Sequence, residues 1–172
     1  MNPVIRLRLI GLAIAALVYG VDQWFKDFVR HGLKLQQVGA IEILPFFDLR
    51  WAENYGVSLG MFTARSPEMR WLLVLGTLAI ATAVLAWLLR ERQFPDILGL
   101  SLVLGGALGN ITDRTLLGFV VDYADLHFGS FRPFLIFNIA DAAITIGVLI
   151  ILARSLFSRE KPETAGHPAS ES

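Results

Sequence analysis

The feature of this sequence that most restricts its fold is the run WLLVLGTLAIATAVLAWLL at 71–89, which contains no charged side chain. A helix of that length spans the hydrocarbon of a bilayer, and the positions of Trp71 and Trp87 near its ends are typical of the membrane–water interface. Three further apolar stretches, at about 9–25, 97–111 and 137–153, bring the predicted transmembrane helices to four. The fold class predicted is therefore a membrane all-α protein.

Composition supports this class and excludes several functions. Of the 172 residues, 55% are hydrophobic and 17% are charged, whereas soluble domains carry about 25% charged residues. The formal net charge is zero, so no basic surface indicates nucleic acid as a partner. The absence of cysteine excludes disulfides, thiolate metal sites and a cysteine nucleophile. The dispersed histidines form no zinc motif, and no metal or cofactor is predicted.

The charges predict how the chain is oriented. Arginine and lysine are dense near the span ends at the N-terminus, at 90–95 and after Ala153, which indicates the cytoplasmic side. An even number of spans places both termini there.

Two segments then lie on the extracytoplasmic side, and we predict that 1–157 form one four-helix membrane domain. Residues 27–70 contain apolar and aromatic stretches that indicate a small β-sheet at the membrane surface. Residues 115–133 are predicted to be a shorter, aromatic-rich loop. The polar tail at 158–172 is predicted to be disordered and cytoplasmic.

Polar residues gather at the extracytoplasmic ends of three predicted helices. In the third helix they occur at steps of three or four and share one face with small residues: Gly99, Leu102, Gly106, Asn110 and Asp113, with Arg114 beside them. Asn138 and Asp141 occupy the outer turns of the fourth helix, and Asp22 and Lys26 occupy the outer end of the first. Asp122 precedes the fourth helix and can reach the same depth.

Several of these residues have simple structural interpretations. Asp22 and Lys26 are spaced as an interfacial ion pair, the glycines as packing positions, and Arg114 beside Asp113 as a helix-end pair. Asn54 is an ordinary turn residue by its context, and Asp125 and His127 are predicted to be solvated loop residues.

Asp141 is different, because an acid within a membrane helix costs at least about 2.5–3.5 kcal/mol on insertion scales. A second acid, Asp122, is expected nearby. Two carboxyl groups in a low-dielectric site do not both ionise, so they share one proton. The ionised carboxylate can then activate water while the protonated one polarises a carbonyl group, which is the chemistry of an aspartic protease.

A competing motif is GVSLG at 56–60, which matches G-x-S-x-G and is followed by Asp122 and His127 in the order of a serine hydrolase. That nucleophile elbow requires a strand–turn–helix in a large α/β sheet, for which this chain has no room. We therefore reject Ser58 as a nucleophile.

Five blocks of the sequence together resemble the bacterial lipoprotein signal peptidases, or signal peptidase II. They occur in this order: DQWFK at 22–26, NYGVSLGMF at 54–62, GGALGNITDR at 105–114, VVDYADLHF at 120–128 and FNIADA at 137–142. The resemblance extends from the first span to the fourth. Leu59 and Ala142 depart from the residues that family members often carry there.

The resemblance implies roles for ten residues. Asp122 and Asp141 would be the catalytic aspartates. Four others, Asn54, Asn110, Arg114 and Asn138, would hold the substrate backbone or orient the catalytic pair. Asp22 and Asp113 would be supporting residues, and Gly106 and Ala140 are motif positions.

The family resemblance also implies a substrate, a prolipoprotein whose signal peptide is cut just before a diacylglyceryl-modified cysteine. The sheet and loop would surround this substrate at the membrane surface, among membrane lipids. The protein is expected to act as a monomer. Two alternatives remain open from the residues: a small proton-coupled transporter, which would distribute its acids through the membrane depth, and a non-catalytic membrane scaffold.

Overall fold

A computed structural model describes residues 2–56 and 67–157 of the chain; Ser58, Leu59 and the predicted tail lie outside the described residues. It confirms the predicted class, with four helices long and apolar enough to cross a membrane. These are α1 (Pro3–Asp27), which continues into a π-helical turn (Phe28–Gly32), α3 (Pro67–Leu88), α4 (Phe94–Leu116) and α5 (Ile139–Phe157); a short α2 (Leu35–Val38) follows the π-helical turn.

The centre of the bundle is α4, which packs against α1, α3 and α5. Its approach to α5 depends on small residues. A Cβ atom on Gly106 would collide with the backbone carbonyl oxygen of Ala140, and Gly99 and Gly147 are pressed against each other's carbonyl oxygens in the same way. Such small-residue contacts let membrane helices pack backbone to backbone.

Gly106→Ala is therefore expected to destabilise the bundle by about 1–3 kcal/mol, the range typical of overpacked sites. The added methyl group must push α4 away from α5. Unfolding of the purified protein in a denaturing detergent titration measures the change. The matched control is Gly76→Ala on α3, where the new Cβ has no neighbour within 4 Å. Equal stabilities of the two variants would contradict this packing.

A three-stranded antiparallel sheet lies at one end of the bundle, in the order β1 (Ala40–Leu44), β2 (Phe47–Asn54), β3 (Val120–Leu126). The first two strands fall within the segment predicted to form a sheet. The third does not: residues 115–133 were predicted to be a loop, and their centre instead pairs with β2. The correction matters because β3 carries Asp122.

The sheet packs on the ends of the membrane helices through an apolar cluster. Val29 from the π-helical turn, Leu35 from α2, Leu49 from β2 and Tyr123 from β3 belong to it. A bulge in β2 between Leu49 and Ala52 shifts the register against β3. The end of the bundle that carries this sheet is called the sheet end below.

Two residues predicted to be solvated, Asp125 and His127, are not. Asp125 is completely buried, and its carboxylate accepts hydrogen bonds from the Nε atoms of Arg50 and Arg132, each at 3.0 Å. Nε2 of His127 lies 3.2 Å from Oδ2 of Asp48. The prediction failed because both cationic partners of Asp125 come from outside the strand on which it lies.

Candidate active site

The two candidate catalytic aspartates meet at Asn138. Asp122 comes from β3 and Asp141 from the first turn of α5. The side-chain amide of Asn138 donates to Oδ1 of Asp122 at 2.6 Å, and its backbone N–H donates to Oδ2 of Asp141 at 3.3 Å. One residue thus binds both carboxyl groups.

The sequence FNIAD positions Asp141 through a capping arrangement. Asn138 precedes the first residue of α5, and its Oδ1 accepts the backbone N–H of Asp141 at 2.8 Å while Asp141 accepts the backbone N–H of Asn138. This reciprocal pair is a capping box built from Asn and Asp. Asp141 therefore stabilises the start of its own helix and also faces the candidate site.

Two further amides complete the frame around the carboxyl groups. Nδ2 of Asn54, at the end of β2, donates to Oδ2 of Asp122 at 3.1 Å. Nδ2 of Asn110, on α4, donates to Oδ1 of Asp141 at 2.8 Å. Each aspartate is consequently held by two hydrogen bonds from amide groups, and its rotamer is fixed from two different elements.

The environment of Asp122 favours its protonated form. Burial, together with the negative charge of Asp141, raises the pKa of this carboxyl group from 3.8 to about 7, while the hydrogen bonds from Asn54 and Asn138 and the charge of Lys26 act in the opposite direction. A carboxyl group that keeps its proton near neutral pH can donate to a carbonyl oxygen.

Beside this pair lies a buried ionic cluster of three residues. Nζ of Lys26 is 2.8 Å from Oδ2 of Asp22 and 3.0 Å from Oδ2 of Asp113. All three side chains are at most 5% exposed. The predicted pair of Asp22 and Lys26 therefore forms, and it extends from α1 to α4.

The ionic cluster also anchors the elements that carry the catalytic candidates. Asp22 accepts the backbone N–H of Ala140 at 3.0 Å, at the start of α5. Asp113 accepts the backbone N–H of Val121 at 3.0 Å, next to Asp122 on β3. Lys26 donates to Oδ1 of Asn110 at 3.2 Å.

Arg114 is placed differently from a simple helix-end pair with Asp113. Its guanidinium forms no ion pair within 4.0 Å among the described residues, and Asp113 is bound to Lys26 instead. The guanidinium nevertheless interacts electrostatically with the carboxylates of Asp141, Asp122 and Asp113, so its positive charge acts on the candidate catalytic pair.

Two supporting residues were missed by the sequence reasoning. Nε2 of Gln23 donates to Asp22 at 3.2 Å and to Asp113 at 3.1 Å. The hydroxyl oxygen of Tyr123 accepts the backbone N–H of Ile139 at 3.1 Å. Gln23 and Tyr123 directly follow the predicted site residues Asp22 and Asp122 in the sequence. This adjacency was the only indication in the sequence that they belong to the site.

The other predicted residues converge as well. Gly106 and Ala140 form the close contact between α4 and α5 described above. Ala142 donates its backbone N–H to the carbonyl oxygen of Asn138 at 3.2 Å. Within 2–56 and 67–157, no group of three or more histidine and acidic side chains is arranged to hold a metal ion.

Comparisons with known proteins point to one family. Residues 14–157 match the family model Peptidase_A8, described as signal peptidase (SPase) II. A lipoprotein signal peptidase of Rhizorhabdus wittichii is 54% identical over 153 residues, which cover 89% of each chain. One from Sphingopyxis alaskensis is 52% identical over 151 residues, covering 88% of this chain and 87% of the relative.

A solved structure titled as a bacterial membrane enzyme, determined by the in meso method at 2.3 Å resolution, has a similar fold. Its TM-score is 0.75 and its sequence identity is 30%, and the match covers 90% of this chain and 92% of the other.

Proposed function

Because the chain belongs to the signal peptidase II family of membrane proteases that process lipoproteins, we propose that it is an intramembrane aspartic endopeptidase. Its substrate is a prolipoprotein, and it removes the signal peptide on the N-terminal side of a diacylglyceryl-modified cysteine. The observation that carries the aspartic mechanism is the binding of both carboxyl groups, Asp122 and Asp141, by the single residue Asn138.

The proposed chemistry needs only water and one shared proton. The ionised carboxylate of the pair removes a proton from a water molecule, and the water oxygen bonds to the carbonyl carbon of the scissile amide. The protonated carboxyl group gives its proton to the carbonyl oxygen, which yields a tetrahedral diol. Transfer of a proton to the amide nitrogen then breaks the C–N bond and releases an acid and an amine. The pair titrates as a unit.

The surrounding residues have distinct proposed tasks. Asn54, Asn110 and Asn138 hold the two carboxyl groups in place by the hydrogen bonds described above. Arg114 carries a cation beside the pair, where it can bind a carbonyl oxygen of the substrate backbone. All these residues belong to one chain, so a monomer suffices.

We place the sheet end at the extracytoplasmic face of the bacterial cytoplasmic membrane and both termini on the cytoplasmic side. The opposite end of the bundle is rich in arginine, as cytoplasmic ends are. There, Arg8 of α1 donates to the backbone carbonyl oxygens of Arg90 and Glu91, after the end of α3.

The test of this function is cleavage of a synthetic precursor by the purified protein in liposomes. We expect cleavage of a precursor whose cysteine carries diacylglycerol, with a product mass that places the cut immediately before that cysteine. The same peptide without the lipid is the control, and it should remain intact. Cleavage elsewhere, or equal cleavage of both peptides, would refute the proposed specificity.

The pKa of Asp122 leads to a pH prediction. Below pH 7 the pair retains the proton that must reach the carbonyl oxygen, and above about 7 this proton is lost, so kcat/KM should fall as the pH rises through that value. Asn54→Ala removes a hydrogen bond that lowers this pKa, so the alkaline limb should move to higher pH. A limb that stays in place or moves downward would contradict this role of Asn54.

A further inference from the structure

Two short segments at the sheet end expose large apolar side chains. One is the turn between β1 and β2, and the other is the connection from β3 to α5. Six of their apolar side chains, each 44–77% exposed, are called the apolar rim: Leu44, Phe46, Phe128, Phe131, Phe134 and Leu135.

The two segments of the apolar rim lie side by side and are held in shape. The backbone carbonyl oxygen of Phe46 accepts the N–H of His127 at 3.0 Å, which joins the first segment to the second. Phe128 and Phe131 exchange backbone hydrogen bonds across the turn at Gly129 and Ser130, and Gly129 has a positive φ of 63°. The rim is consequently a structured surface.

The charge distribution of these segments is unusual for a surface in water. Residues 43–47 and 128–136 contain a single charged side chain, Arg132. Its Nε donates to both oxygens of the buried Asp125, at 3.0 and 3.1 Å. The one cation is therefore paired with an internal carboxylate, which it shares with Arg50, and the other side chains of these segments are mainly aromatic and aliphatic.

The space behind the rim is apolar as well. A groove of about 420 Å³ runs between the sheet and the ends of α1 and α5. Phe25, Ile43, Phe47 and Ile139 are among its lining residues, and Asn138 and Tyr123 are its polar members. Ile43 and Phe47 adjoin Leu44 and Phe46 of the rim, so the apolar surface continues from the rim toward the membrane-spanning helices.

From these observations we infer that the apolar rim inserts into the lipid leaflet at the sheet end and seats the sheet on the bilayer. Its partner is the interfacial layer of phospholipid, which accepts phenylalanine and leucine side chains below the headgroups. A contiguous exposed patch of this kind marks an interaction surface. Lipid is favoured over a soluble protein because α5 begins its membrane span at Ile139, four residues after Leu135.

The rim would fix the depth at which the catalytic candidates, Asp122 and Asp141, lie in the membrane. In the chain, the segment at 128–136 lies between β3, which carries Asp122, and Asn138 at the start of α5. Phe137 pairs with Ala124 through backbone hydrogen bonds of 2.8 and 3.1 Å, so the two ends of the segment are joined at its base. This inference uses the membrane fold alone and stands or falls independently of the aspartic mechanism.

The cysteine-free chain permits a direct test. Ser130→Cys at the tip of the rim carries a nitroxide spin label in the full-length protein in phosphatidylglycerol–phosphatidylethanolamine liposomes. Gln37→Cys, at an exposed polar position on α2, is the aqueous reference, and Leu72→Cys, at an exposed apolar position on α3, is the lipid reference. Power saturation gives the accessibility of each label to oxygen relative to a water-soluble nickel chelate.

We expect the oxygen-to-nickel ratio at position 130 to be at least about threefold above that at 37 and to approach that at 72. In the same background, Phe134→Ser with Leu135→Ser should bring the ratio down to the aqueous value, while cleavage of the precursor in detergent stays unchanged. A ratio at 130 equal to that at 37 would overturn the inference. If the label at position 130 became inaccessible to the nickel chelate only after the precursor was added, the inference would also be overturned. The rim would then be a contact surface for the substrate.

Discussion

Asp122→Asn and Asp141→Asn are each expected to lower kcat/KM for a lipidated precursor by about a thousandfold, within the range of contributions from general acid–base groups. An amide can neither remove the proton from water nor supply one to the carbonyl oxygen. Since the two carboxyl groups act as one unit, the double variant should be about as slow as either single variant.

Both variants should remain folded, which separates loss of chemistry from loss of structure. In Asp141→Asn the amide oxygen still accepts the backbone N–H of Asn138, so the capping arrangement of α5 persists. The matched control is Asp27→Asn, because Asp27 is exposed and pairs only with His31 among the described residues. Its activity should stay at the parental level.

These variants also separate the three classes of function. A rate within about tenfold of the parent in either aspartate variant would contradict an acid–base role and leave a non-catalytic scaffold as the better explanation. Proton flux in liposomes that accompanies a second solute and disappears with either aspartate would favour the transporter. A folded, inactive variant that carries no flux supports the protease.

The membrane helices were predictable because the bilayer imposes a simple requirement on the sequence. A helix must satisfy its own backbone groups in hydrocarbon and present apolar side chains over its whole length. The span at 71–89 meets this requirement and corresponds to α3, Pro67–Leu88. The prediction was less accurate for α4. The apolar stretch ends at residue 111, but the helix continues to Leu116 because its last turns carry the polar residues of the site.

Strand β3 was not predictable in the same way. Its sequence, VVDYADL, places two acids among apolar residues and was interpreted as a loop. It becomes a strand because β2, some seventy residues earlier in the chain, supplies the hydrogen bonds of its ladder. Asp125 is tolerated in the buried strand because Arg50 and Arg132 neutralise it.

The candidate site was predictable as a set of residues but not as a geometry. The i,i+4 spacing of Asp22 and Lys26 identified one ion pair. Nothing in the sequence indicated that Asp113 would share the same ammonium group, because this depends on the packing of α1 against α4. Likewise, the spacing of Asn138 and Asp141 placed them on one face, while the reciprocal capping arrangement emerged only with the start of α5.

Lys26→Met is expected to have the largest effect on stability, a loss of about 3–5 kcal/mol, which is typical when one member of a buried ion pair is removed. Two buried carboxylates, Asp22 and Asp113, would be left facing each other without their cation. Because they anchor Ala140 and Val121 through backbone N–H groups, the disturbance should reach both α5 and β3. Unfolding in a denaturing detergent titration measures the loss.

A compensated variant tests whether charge is the cause. Lys26→Met combined with Asp22→Asn and Asp113→Asn removes all three charges, yet the amide oxygens can still accept the two backbone N–H groups. Since neutral replacement of a buried ionic cluster is often tolerated, this triple variant should regain most of the lost stability. Lys34→Met, at an exposed position, is the control for the substitution itself. If Lys26→Met unfolded within about 0.5 kcal/mol of that control, as surface substitutions usually do, the cluster would have no structural role.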